Sequence, residues 1–167
     1  NAQKPTILIA PAQVLQQLAQ HPDLTIRPQK IISVAEVLEP QVKTRIEQRF
    51  GTQVHQIYQC TEGFLAHTCA YGNLHLNEDM VYIEKDWIDR ESGRFAPIIT
   101  DFNRKSQPVI RYRLDDVLIA NNAPCPCGSA FARISAIEGR CDDILDARTT
   151  GGEPYALYAD FIRRAMI

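Results

Sequence analysis

The chain of 167 residues carries 18 Lys and Arg against 20 Asp and Glu, a formal net charge of −2. With both signs interspersed, no basic footprint marks a binder of nucleic acid or of an anionic membrane. No apolar run approaches the ~20 residues that span a bilayer, and no signal-peptide pattern opens the chain, so a cytoplasmic setting is the default expectation. The five cysteines cannot all pair within the chain, and that setting disfavours disulfides.

In chain order, Thr6 to Ala10 ("TILIA") is a short apolar run that predicts a buried strand. Pro11 suits a first helical turn, Val14, Leu15 and Leu18 recur at helical spacing, and His21-Pro22 ends that helix. "KIISVAE" predicts a second buried strand. "PQVKTRIEQRFG" predicts a helix, with Pro40 at its start, Val42, Ile46 and Phe50 on one face, and Gly51 closing it. "QVHQIY" predicts a third strand. The expected fold class is therefore α/β, opening with a β-α-β-α-β segment of parallel strands. Ligands bind such sheets beyond the carboxyl ends of the strands, where "SVAE" and "YQCTEG" lie.

Later, "NLHL", "DMVYIEKDWI", "RFAPIITDF", "PVIRYRLDDVLIA" and "FARISAIEG" predict antiparallel strands of a β-rich partial barrel, with a hairpin turn at Asp89 to Gly93. "ALYADFIRRAMI", after the Gly151-Gly152 turn, predicts a C-terminal helix. The start without Met and the uncapped final stretch lead to the expectation of a fragment.

Within "YQCTEG" the residue types suit a phosphorylated ligand. The Tyr58 ring can stack on a base, the Thr61 hydroxyl can donate to a phosphate, and Glu62 can hold magnesium. A strand-end turn with a capping threonine is the alternative. "SVAE" (Ser33 to Glu36), "RYRLDD" (Arg111 to Asp116) and "EGRCDDIL" (Glu138 to Leu145) complete a set of four stretches.

In that order the four resemble the motifs of the adenylate-forming enzymes, the superfamily of acyl-CoA synthetases and related ligases. The resemblance is nearest to the phenylacetate–CoA ligase branch and its coenzyme-synthetase-like relatives, and it covers roughly residues 5 to 165. It implies Glu36 in the adenine loop, Tyr58 stacked on adenine, Thr61 on phosphate and Glu62 on magnesium. It further implies Asp116 on the ribose hydroxyls, Arg140 near the ribose, and Asp142 at the hinge of a small C-terminal domain.

The implied division is 1–65 for part of the α/β nucleotide- and substrate-binding subdomain, 66–140 for the β-rich subdomain, and 141–167 for the hinge and the start of the small domain. The implied activity is ATP- and magnesium-dependent formation of an acyl adenylate from a carboxylic acid, first guess an aryl or arylacetic acid. Transfer to CoA or another thiol follows.

The chain departs from the motifs at Val34 and Ala35, where small residues or glycines are usual, and at Gln59, Cys60 and Asp115. No Ser/Thr/Gly-rich phosphate loop precedes residue 6, and the lysine expected beyond the terminal stretch is missing. Adenylation by this chain alone is therefore not expected.

Cys125-Pro126-Cys127-Gly128 resembles a metal-binding knuckle, and "CAYGNLH" offers Cys69 and His75. Three thiolates and one imidazole suit a closed structural zinc site, a set that the phenylacetate–CoA ligase branch also often carries in these neighbourhoods. Reduced, buried cysteines are the alternative, and His67 is the substitute ligand. Two further readings stay open on sequence: a non-catalytic, zinc-stabilised nucleotide-binding module, and a protein-interaction domain. An unpaired edge on the first strand leaves homo-oligomer formation open.

Overall fold

The structure, a computed structural model, describes residues 4–141 and 144–158. Asp142, the expected hinge, lies outside the described residues. The chain divides into two compact units, residues 1–81 with 123–133, and residues 82–122 with 134–167.

The first unit opens with β1 (Ile7–Pro11), α1 (Ala12–Gln20), β2 (Lys30–Val34), α2 (Pro40–Phe50) and β3 (Val54–Cys60). The three strands are neighbours in that order and parallel, with Leu8 beside Ile31 and Ile31 beside Val54. The expected β-α-β-α-β segment is therefore present. α2 begins as the sequence dictates, whereas Pro11, expected in the first turn of α1, stands just before it at the end of β1. Pro11 caps α1 with extended backbone, and Pro40 occupies the first turn of α2, where a missing N–H is harmless. Gly51 closes α2 at a φ of 65°, with its N–H donating to the Glu47 carbonyl.

Leu15 of α1, Ile31, Ile46 of α2, Phe50 and Val54 form one buried cluster, and Leu8 and Val42 pack against it. Both helices thus cover one face of the sheet. The prediction of a buried β1 fails on the other face, where Ile7 and Ile9 are 53% and 58% exposed. Four consecutive apolar residues, Ile7 to Ala10, suit a strand covered on both sides, and the two helices cover only one.

β3 then turns into antiparallel structure earlier than the sequence suggested. β4 (Gly63–Thr68) pairs back on β3, and β5 (Leu74–Leu76) pairs on β4.

The second unit contains β6 (Val81–Asp89), β7 (Arg94–Asp101), β8 (Val109–Arg113), β9 (Asp116–Asn121) and β10 (Arg133–Arg140). Its strand order is β10-β9-β7-β6, with β8 also on β7. The β6–β7 turn is the one expected. The Asp89 carboxylate accepts the N–H groups of Glu91 and Ser92 at 3.0 and 3.3 Å, and Gly93 takes a φ of 75°.

"PVIRYRLDDVLIA", expected as one strand, is two. β9 pairs with Arg94 and Phe95 of β7, and β8 pairs with Ile98 to Asp101. Pro97 explains the interruption: it accepts the Leu114 N–H at 2.9 Å but has no N–H to return.

β11 (Ile144–Arg148) and β12 (Pro154–Tyr158) form a separate antiparallel hairpin. Its turn is fixed by the Gly152 N–H on the Thr149 carbonyl and a Gly152 φ of 84°. The predicted C-terminal helix is therefore not present at its start, since Ala156 to Tyr158 belong to β12; the remainder lies outside the described residues. The alternating pattern after a Gly-Gly turn favours a hairpin over the helical period read into the same apolar residues. Among the described residues, no helix is long and apolar enough to cross a membrane.

Candidate functional site: strand-end loops and a cysteine–histidine cluster

"YQCTEG" proves to be a tight hairpin connection. Tyr58 to Cys60 end β3, Thr61 and Glu62 form a two-residue turn, and Gly63 opens β4 opposite Cys60. Thr61 is exposed and Glu62 half-buried, so both can reach a ligand. Tyr58 is only 7% exposed. Burial, followed by its hydrogen bond with Glu62, pushes the Cys60 thiol up to about 11, so Cys60 is a neutral thiol at ordinary pH.

At the end of β2, Ala35 sits in the left-handed region at a φ of 64°. A residue with a Cβ is strained there, which is the physical reason a glycine is expected at this place. Glu36 follows, and its Oε2 accepts the Gln13 N–H at 2.9 Å. Pro11 has no side chain that could cap α1, so Glu36 supplies the anion at that helix's N-terminus.

In the second unit, the turn between β8 and β9 meets the end of β10. Arg140 Nη2 lies 3.5 Å from Asp115 Oδ2, and Arg113 Nη1 lies 3.6 Å from Asp115 Oδ1. Cys141 donates its thiol to the Asp115 carbonyl at 2.9 Å, and its N–H reaches the same carbonyl. The "RYRLDD" and "EGRC" stretches are thus stitched together at Asp115, and half-buried Asp116 opens β9 beside them. Arg111 and Arg113 also reach Glu84 and Asp86 of β6, at 3.0 and 2.7 Å.

The four proposed metal ligands converge within the first unit. One donor atom from each of Cys69, His75, Cys125 and Cys127 lies within 4.8 Å of the others. Cys69 Sγ is 3.8 Å from Cys125 Sγ, and Cys127 Sγ is 3.5 Å from His75 Nε2. A tetrahedron with metal–sulfur bonds of ~2.3 Å and metal–nitrogen bonds of ~2.05 Å has edges of about 3.8 Å and about 3.5 Å. Both separations match.

His75 Nδ1 meets the Phe131 carbonyl at 3.1 Å, and such a contact requires N–H there and leaves Nε2 as the free lone pair. The knuckle closes with the Gly128 N–H on the Cys125 carbonyl, and Gly128 has a φ of 78°.

Partial burial pushes the Cys125 thiol up, but hydrogen bonds from Cys127, His75 and Cys69 outweigh it and hold the thiol at about 6. The Ser129 N–H pulls Cys127 down, but the adjoining Cys125 thiolate outweighs it and raises Cys127. His67 is engaged elsewhere, 2.6 Å from Asn77 Oδ1, and does not join the cluster. Sequence reasoning missed Asn73 and Arg133, which contact the cluster and its loop. Asn73 lay in plain view inside "CAYGNLH", but only folding shows that its amide meets Cys125 at 3.4 Å.

Comparison with known proteins adds the fold context. No family model and no curated protein sequence matches the chain. Solved structures do. A 2-hydroxyisobutyryl-CoA ligase, in an open conformation with 2-HIB-AMP and CoA, superposes with a TM-score of 0.74 at 21% identity, over 97% of this chain and 39% of that one.

The fold is that of the corresponding part of this ligase.

An amide bond synthetase, McbA from Marinactinospora thermotolerans, superposes at a TM-score of 0.63 and 16% identity, over 94% of this chain and 35% of that one. A malonyl-CoA ligase with methylmalonyl-CoA and AMP bound gives 0.56 at 18% identity, covering 89% and 36%. The chain thus spans well under half the length of the ligases whose fold it shares.

Proposed function

We propose that the chain is part of an ATP-dependent carboxylate ligase of the phenylacetate–CoA ligase branch, carrying nucleotide contacts and a structural zinc. The observation that supports this reading best is the fold match over nearly the whole chain. The quoted stretches fall, within that fold, at strand ends and turns. The parent enzyme joins a carboxylic acid, of the aryl or arylacetic class, to AMP with release of pyrophosphate. It then passes the acyl group to CoA or another thiol. A free carboxylate is a poor electrophile, and the adenylate supplies a good leaving group.

Within this reading each residue has a task suited to its chemistry. Thr61, exposed at the turn, donates its hydroxyl to phosphate, and Glu62 beside it binds magnesium, which offsets phosphate charge when bound. Asp116 accepts two ribose hydroxyls with two carboxylate oxygens, and Arg140, held by Asp115, supplies positive charge near the ribose. Glu36 shapes the adenine loop by anchoring it to α1. Stacking on adenine needs more of the Tyr58 ring than the 7% now exposed, so nucleotide binding is expected to turn that ring outward. Asp142 is proposed as the hinge, on resemblance alone.

Zinc fits the cysteine–histidine cluster on the chemistry of its donors: three soft thiolates and one imidazole with its tautomer fixed. Four protein ligands close the shell, so the ion ties the β4–β5 loop to the 125–127 knuckle and takes no part in the reaction.

The test is calorimetric titration of the full chain with AMP and with ATP–magnesium, beside elemental analysis. About one zinc per chain and nucleotide binding lost in Asp116→Ala support the reading. Nucleotide binding that Asp116→Ala and Thr61→Val both leave unchanged contradicts the assigned contacts.

A further inference from the structure

Two loops of the first unit meet at the cysteine–histidine cluster, and one pair of side chains joins them from outside. Asn73 sits between the ligands Cys69 and His75. Its carbonyl accepts the Cys69 N–H at 2.8 Å, and its Nδ2 donates to Cys125 Sγ at 3.4 Å. Its Oδ1 accepts from Arg133 Nη2. The other amino group of Arg133 donates to the carbonyls of Ala123 at 2.7 Å and Pro124 at 3.1 Å, the two residues that lead into Cys125.

The direction of this chain of contacts is forced. An asparagine amide has one donor end and one acceptor end, while a guanidinium only donates. Arg133 can therefore face only Oδ1, which leaves the N–H₂ end of Asn73 pointing at the sulfur. Nδ2 also donates to the Tyr71 carbonyl at 3.5 Å, a long contact, so without Arg133 only that contact opposes a flip that would set the oxygen against a thiolate, lone pair against lone pair. Arg133 holds this position even though its Nε is buried without a hydrogen-bond partner, an arrangement that costs stability by itself.

We propose that Arg133 and Asn73 act as one positioning relay, in which Arg133 locks the Asn73 amide so that its N–H meets the Cys125 thiolate and so sets the metal affinity of the cluster. The relay acts from outside the ligand shell, as groups that orient metal ligands do. It rests on the zinc reading above and names two residues that neither the cysteine spacing nor the tetrahedral edges require.

The test compares zinc affinity, by competition with a chromophoric chelator, in the full chain, in Asn73→Asp, in Arg133→Met and in the double variant. Asn73→Asp is nearly isosteric and keeps the acceptor for Arg133 while removing the donor to sulfur. Each single change is expected to weaken zinc by roughly 10- to 100-fold. The double variant is expected to be no weaker than the worse single one, because both changes break the same chain.

Cobalt(II) in place of zinc supplies a readout that a merely structural role leaves still. At saturating metal, Asn73→Asp is expected to retain the intensity of three thiolates while its sulfur-to-cobalt charge-transfer band moves to lower energy. If Arg133→Met fails to fold, Asn73→Asp carries the test alone. Unchanged affinity and an unmoved band in Asn73→Asp overturn the relay while leaving the zinc site standing, as does a double variant whose loss is the product of the two. A wild-type chain that takes up neither zinc nor cobalt overturns the metal reading and the relay with it.

Discussion

The two units fasten their loops by different physics. In the first, three soft thiolates and one imidazole converge on one point, with Cys69 and Cys125 56 positions apart in sequence. In the second, Arg111, Arg113 and Arg140 reach Glu84, Asp86 and Asp115 across the strands, and all three arginine side chains are substantially exposed. Exposed ion pairs contribute little each because water solvates the separated charges nearly as well. A bound metal replaces water with four strong bonds, and its binding free energy becomes folding free energy. On the proposed zinc reading, the first unit fastens its loops through one removable ion, while the second spreads that task over contacts that can be lost singly.

The sharpest way to break that comparison is to remove the ion. Strong chelation of zinc-loaded protein should destabilise the first unit by several kcal/mol and expose 69–75 and 123–127 to protease. Hydrogen exchange in β6 to β9 should change little by comparison. Equal loosening of both units would erase the contrast.

A core truncation gives the yardstick. Ile46 is fully buried between α2 and the sheet, so Ile46→Ala should cost about 2–5 kcal/mol by chemical denaturation. A smaller effect works in the other direction. Ala35→Gly relieves a left-handed backbone and should stabilise by about 1 kcal/mol. Arg113→Ala, which removes contacts to both Asp86 and Asp115, should cost only about 0.2–1 kcal/mol, and less in high salt. A loss from Arg113→Ala that rivals chelation would mean the exposed network is not the minor fastening.

A pH titration bears on the loop between β3 and β4. The Cys60 thiol moves from an ordinary value of 9.0 to about 11 in the fold. Between those values the folded chain keeps a proton that the unfolded chain has released. Its contribution is therefore complete below about pH 9 and lost as pH rises through about 11. Cys60→Ala should flatten the alkaline end of the stability curve over that window, measured by urea unfolding.

Much of this was legible in the sequence, for identifiable reasons. α2 was readable because Pro40, the Val42–Ile46–Phe50 face and Gly51 all point the same way. β1 to β3 were readable as apolar runs between helices, but their burial was not, since Ile7 and Ile9 look the same in sequence whether a second layer covers them or not. The β8–β9 break was hidden because its cause, Pro97, lies on the partner strand. The hairpin of β11 and β12 was mistaken at its second strand because Tyr155, Leu157 and Tyr158 satisfy two periods at once. In the cluster, the ligand types and their tight pairs were visible. The relay was not, because Arg133 lies 60 positions from Asn73 and no spacing rule links an asparagine to an arginine.

The most direct test of the central claim is to map where a stable acyl-adenylate analogue binds. Hydrogen exchange would be followed residue by residue on the zinc-loaded chain, with an arylacetyl sulfamoyl adenosine and magnesium. The account predicts protection at Tyr58 to Glu62 and at Asp115-Asp116, with the Tyr58 ring signals shifting as the ring turns outward. Protection confined to other segments, or none at saturating analogue, would contradict it.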